Sequence, residues 1–234
     1  MNLFFLQVII DSAKIKDSLA RVAQMAAAQK ESILDILTKG GPLMIPLGLL
    51  LVIAFYVFFE RYIAIKKAAR MDDNFMSIIR DHIVTGNIQA ARSLTKNTST
   101  AVARMIDKGI QRVGKPIEAI ERSMESVGKL ELYKMERNLN VLSVIGYIGP
   151  LFGFLGTIVG MFQLFYTLAA TNDYTLSTIA GGIYVKMISS ASGLIIGIIA
   201  YLGYRFLNTQ VDKATNRMEV ASADFIDILQ EPTR

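Results

Sequence analysis

The stretch NLNVLSVIGYIGPLFGFLGTIVGMFQLFYTLAATN, residues 138–172, runs for 35 residues without a charge. Inside it small or polar residues recur at Ser143, Gly146, Gly149, Gly153, Gly156, Gly160, Gln163 and Thr167. From Gly146 onward the steps alternate between three and four, which places these residues in one stripe of a helix. Glycine at successive turns removes the side chains that hold two helices apart, and close backbone approach is how helices associate in lipid. The segment therefore predicts a membrane helix that presses against other helices along its length.

Two further blocks lack charge. Gly40–Phe59 is wholly uncharged, and Tyr174–Tyr204 is interrupted only by Lys186. Crossing the hydrocarbon core takes about 20 apolar residues. Three transmembrane helices are expected, at 42–60, 140–168 and 176–204, in an all-α membrane protein with long helical extensions. The remaining segments are an extracytoplasmic amphipathic helix within 1–41, a helical region over 61–139, a short link at 169–175 and a C-terminal helix over 205–234. The opening MNLFFLQVII has no basic start and no small-residue cleavage pattern, so it is expected to be retained.

The chain is 52% hydrophobic, 19% charged and carries a net charge of +5. That excess lies beside the proposed spans, at Arg61, Lys66, Lys67 and Arg70, at Lys129, Lys134 and Arg137, and at Arg205, Lys213 and Arg217. It points to the cytoplasmic side of a lipid bilayer, not to nucleic acid. Residues 61–139 and the C-terminus are thus expected inside, and the N-terminus outside. Within 60–137, breaks at Thr85-Gly86-Asn87, Asn97-Thr98-Ser99 and Gly114-Lys115-Pro116 separate short helices, the first of them capped by Asp72 or Asp73. From Ile117 to Ala169 the only strong helix breaker is Pro150, so one long helix bent near Pro150 is expected.

Enzyme chemistry finds no residues to work with. Cysteine is absent and His82 is the single histidine, so no thiolate, catalytic triad or metal cluster can be assembled, and no cofactor is implied. Gly-Phe-Leu-Gly-Thr at 153–157 lacks the Lys-Ser/Thr ending of a phosphate loop. What remains is Lys186, about ten residues inside the outer end of the third span. Its helical neighbours Gly182, Ser189, Ser190, Gly193 and Gly197 are small or polar. An ionisable residue inside a membrane marks function by default and needs a counter-charge, yet no span holds an acid. The carboxylate would come from another chain; the competing reading is a lysine snorkelling to the headgroups. Thr157, Ser189 and Ser190 either line a polar path or simply bond their own helix backbones.

These residues resemble a known family. Gly149-Pro150-Leu151-Phe152-Gly153-Phe154-Leu155-Gly156-Thr157-Ile158-Val159-Gly160-Met161 is similar to the second-helix signature of the MotA/TolQ/ExbB proton-channel family. Gly182-Ile183 through Ser190-Ala191-Ser192-Gly193-Leu194 resembles its third-helix motif. The likeness covers roughly 40–210 and is nearest to ExbB, given the 40-residue outer N-terminus. It implies a homopentamer in the bacterial inner membrane around a central pore. That pore would hold the helices of an ExbD/TolR-like single-span partner carrying a membrane aspartate. Proton flow would drive motion passed to TonB-like proteins acting on the outer membrane. It implies that Thr157 and Ser190 are pore hydroxyls and that Pro150 is the family proline. Gly146, Gly149, Gly153, Gly156, Gly160, Gly193 and Gly197 would form the helix-packing wall. Where many relatives have a third-helix glutamate this chain has Val185, followed by Lys186. The expectation is that Lys186 faces the partner's carboxylate instead. A TolQ-like or motility role, a self-contained channel or transporter, and a membrane scaffold are the competing functions.

Overall fold

The computed structural model describes residues 41–70, 74–172 and 174–230. The expected helix over 11–38, the Asp72/Asp73 cap and Asp173 lie outside them. Every regular element among the described residues is an α-helix: α1 (Met44–Ala69), α2 (Phe75–Val84), α3 (Ile88–Asn97), α4 (Ala101–Ile110), α5 (Ile117–Glu136), α6 (Leu139–Thr171) and α7 (Leu176–Gln230). Three stretches are long and apolar enough to cross a membrane, in α1, in α6 and in the first half of α7. The chain is a multi-pass membrane protein.

The spans show an inverted surface. On α1 the residues Ile45, Leu49, Val52, Tyr56, Phe59 and Ile63 form an exposed stripe, while Leu47, Ala54, Val57 and Ile65 are buried against α6 and α7. A soluble protein does not expose so long an apolar stripe; lipid accepts it. The 55-residue α7 runs about 80 Å and leaves the apolar zone after Tyr204. Its second half is the spine of a helical bundle to which α2, α4 and α5 attach. Phe225, Met124 and Ile106 are wholly buried there. Gly109 makes that junction possible, because a Cβ on it would lie 2.6 Å from the Met124 sulfur and 2.7 Å from the Phe225 ring.

Local signals explain the short helices. Gly86 (φ +71°) and Gly114 (φ +92°) occupy left-handed turn positions that cost glycine little. The Asn87 side chain accepts from Ala90 N, and Thr100 Oγ1 accepts from Ala103 N, capping α3 and α4. One expectation fails. The long second helix breaks at Arg137–Asn138, with Asn138 at φ 64°, and runs unbroken through Pro150. Asparagine tolerates the left-handed region better than most residues, so a two-residue break there has a low cost. The other end points move by a few residues, since α1 continues to Ala69 and α6 fills 139–171.

Candidate functional site

The glycine stripe of α6 has a partner inside the same chain. α6 and α7 run antiparallel, and their small residues face each other turn by turn. A Cβ on Gly146 would meet Tyr201 Cβ at 3.2 Å. One on Gly149 would meet the Gly193 carbonyl at 3.0 Å and Gly197 N at 3.1 Å. One on Gly153 would meet the Ser189 and Ser190 carbonyls at 3.0 Å. From the other side, a Cβ on Gly193 would lie 2.6 Å from the Gly149 carbonyl and one on Gly197 would lie 2.6 Å from Pro150 Cδ. Backbone touches backbone along this seam, and the Pro150 ring is seated on Gly197. A proline inside an unbroken helix is accommodated here because the opposite position has no side chain.

Two layers of the seam carry polar groups. Gly156 is covered by the side chain of Ser189, which is buried and donates to the Lys186 carbonyl at 3.2 Å. One turn further out, Gly160 is covered by the aliphatic stem of Lys186, whose Cγ and Cε would each lie 2.7 Å from a Cβ there. Beyond that, Gly182 is covered by Leu164. Thr157 sits beside Gly156 at the edge of the seam and donates to the Phe154 carbonyl at 2.6 Å. Both hydroxyls therefore bond their own helices, as the plainer reading expected, whereas Ser190 makes no hydrogen bond. Thr157 also lines a shallow cavity of about 250 Å³ with Ile158, Met161, Phe162 and Phe165, open to the outside of the three-helix bundle.

Contacts with α1 show which part of α7 it accompanies. Leu43, at the outer end of α1, reaches Gly156, and Phe58 reaches Gly203. The α1 span thus covers the levels of α7 from Ser189 to Gly203. Lys186 lies 19 residues, about 28 Å, from Arg205. That is close to the ~30 Å thickness of the hydrocarbon core. Lys186 lies one turn beyond Ser189, the level that Leu43 reaches.

At the inner edge lies a charged cluster that the sequence did not reveal. Arg61 is buried, pairs with Glu60 and donates to the Lys134 carbonyl at 3.2 Å. Glu131 is 2% exposed, pairs with Arg104 and accepts from Lys134 at 2.8 Å. Burial pushes the Glu131 carboxyl up, but the hydrogen bonds and charges of Arg104 and Lys134 outweigh it and hold it below the ordinary value. The cluster joins α1, α4 and α5 just before the Asn138 break. An i, i+3 Glu–Lys pair and a post-span arginine were visible beforehand, but their burial was not.

A glycine seam carrying Ser189 and Lys186 thus joins two membrane-length helices that continue at one end into a helical bundle. The model of the MotA/TolQ/ExbB proton channel family matches residues 97–220, and the chain belongs to that family. It is 27% identical over 182 residues to a putative biopolymer transport protein ExbB-like 1 of Synechocystis sp., covering 76% of this chain and 72% of that protein. It is 34% identical over 88 residues to biopolymer transport protein exbB1 of Vibrio cholerae, 37% of this chain and 39% of that one. It is 30% identical over 113 residues to the Tol-Pal system protein TolQ of Pseudomonas aeruginosa, 48% and 49% of the two chains. The family consists of channel subunits and not enzymes.

Proposed function

We propose that this chain is the pore-forming subunit of an ExbB-type motor in a bacterial inner membrane. It assembles as a homopentamer around the transmembrane helices of a single-span ExbD/TolR-like partner. Proton flow through that pore energises TonB-dependent transport across the outer membrane. The N-terminus is periplasmic, and residues 61–139 and 205–234 are cytoplasmic, an orientation supported by the basic residues beside the spans. The observation that carries this reading is the half-exposed Thr157 beside the seam, next to an apolar recess open to a further helix. The glycines hold α6 and α7 together so tightly that each subunit presents one rigid double-helix wall. Thr157 and Ser190 give that wall its hydroxyls, and Ser189 stays inside it. The TolQ relative supports a Tol-like envelope role as the second reading, since its match covers 48% of this chain, close to the 50% of one ExbB match.

The test is proton uptake by vesicles containing the chain co-expressed with a single-span partner. Thr157→Val combined with Ser190→Ala is expected to lower the uptake rate about tenfold, the equivalent of one lost hydrogen bond of roughly 1.4 kcal/mol. The complex should still assemble. An unchanged rate would remove the hydroxyls from the pathway, and absence of uptake by the unmodified complex would remove the motor reading itself.

A further inference from the structure

Lys186 is a cation with a fixed address. Its stem lies on Gly160, the α6 residue level with its own position in the antiparallel register. Helical side chains lean toward the helix N-terminus, here the outer end of α7. A snorkelling lysine would follow that direction and reach the layer of Leu164. Instead Leu164 occupies that layer by covering Gly182, and the outward route along the seam is closed. The lysine is half-buried and crosses the seam sideways. Gly160 is what allows this, because any side chain there would occupy the space of the lysine stem.

Among the described residues the charge has no counterpart; Asp173, in the link between α6 and α7, lies outside them. No acid occurs in 138–172 or 174–204, and no carboxylate among the described residues contacts Lys186. Along the two helices, the titratable side chains closest in sequence to this layer are the exposed phenols of Tyr184 on α7 and Tyr166 on α6, two and six residues from Lys186 and Gly160. A cation held among apolar membrane helices without a partner is costly. Ser190 and Gly193 continue the same face of α7 inward, and Thr157 follows from Gly160 on α6.

We propose that Gly160 and Lys186 together form an anion site for a carboxylate carried by another membrane helix. It stands one turn outside the Thr157–Ser190 level. The proposal rests on the motor reading and adds to it the residue that holds the partner's carboxylate in its ionised form at the outer mouth. Protonation from outside releases the carboxylate from Lys186 and lets it move inward; no other bond is made or broken. A nearby cation lowers a carboxylate pKa, so removing it shifts proton uptake to higher pH.

The experiment measures the pH profile of proton uptake by the co-expressed complex in vesicles, for the unmodified chain, Lys186→Met, Gly160→Ala and the double variant. Methionine keeps the length of the stem and lacks the charge. Lys186→Met is expected to raise the apparent midpoint by about one unit or more. Gly160→Ala, which evicts the stem, should do the same, and the double variant should go no further. Co-purification of the partner should weaken in Lys186→Glu and recover when the partner's membrane acid is changed to lysine. An assembled, conducting complex whose midpoint is unmoved by Lys186→Met would overturn the proposal while leaving the motor reading standing. A Lys186→Met shift that scales with the phosphatidylglycerol content of the vesicles would also overturn it, assigning the lysine to lipid phosphate. A chain that binds no partner and takes up no protons would overturn the motor reading first.

Discussion

Gly193→Leu is expected to abolish the folded membrane core. A Cβ at this position would stand 2.6 Å from the Gly149 carbonyl, 2.8 Å from Gly153 Cα and 2.9 Å from Gly153 N. All three are backbone atoms of α6, which cannot rotate aside as a side chain can. The two helices would have to separate along a seam where they touch at every turn. Overpacking of an ordinary core costs about 1–3 kcal/mol because flexible neighbours yield; here nothing yields, and the loss exceeds that range. The measurement is the yield and thermal midpoint of monodisperse protein in detergent. Gly181→Ala is the matched control, since a Cβ there meets nothing within 4 Å. It should leave both values unchanged. A Gly193→Leu variant that behaves like this control would mean the seam is not what joins the spans.

Glu131→Ala is expected to lower stability on the order of 2 kcal/mol, below the 3–5 kcal/mol of a fully buried pair. The discount arises because Arg104 and Lys134 are 40% and 55% exposed and can turn to water once the carboxylate is gone. For a chain of this size that corresponds to about 4–8 °C in thermal midpoint. The sign of the pH dependence follows from the lowered carboxyl. Its contribution is present above the ordinary carboxylate value of 4.5 and is lost as pH falls through the depressed folded value. Thermal scans from pH 7 down to the acid limit should show a decline in the unmodified protein that is shallower in Glu131→Ala. Parallel curves would show that Glu131 does not couple its ionisation to the fold. The consequence for function is local, because this acid ties α4 and α5 together beside Arg61 of α1, where force from the spans would enter the bundle.

Uncharged length was enough to place the three spans, because a bilayer imposes one thickness on every helix that crosses it. Gly86, Gly114, Asn87 and Thr100 marked their turns and caps for reasons local to a few residues. Other features depend on what lies across from a residue, and a single sequence does not state that. The glycine stripe announced close packing but not its occupant, which is α7 of the same chain. That the Pro150 ring has room shows only from the facing Gly197, which has no side chain. Asn138 gave no strong signal, since asparagine in the left-handed region is permitted but not required. The place of Lys186 relative to α1 needed the nearness of Leu43 to Gly156, a relation between segments more than a hundred residues apart. Thr157, Ser190 and Lys186 could be singled out as polar groups in apolar helices, whereas Gly160 as the seat of the lysine could not.

The most direct test of the central claim is native mass spectrometry of the detergent-purified chain, alone and co-expressed with a single-span ExbD-like partner. The expected result is five copies of the chain, gaining two partner chains on co-expression. A monomer or dimer that ignores the partner would contradict the account and leave the family match as a statement about the fold.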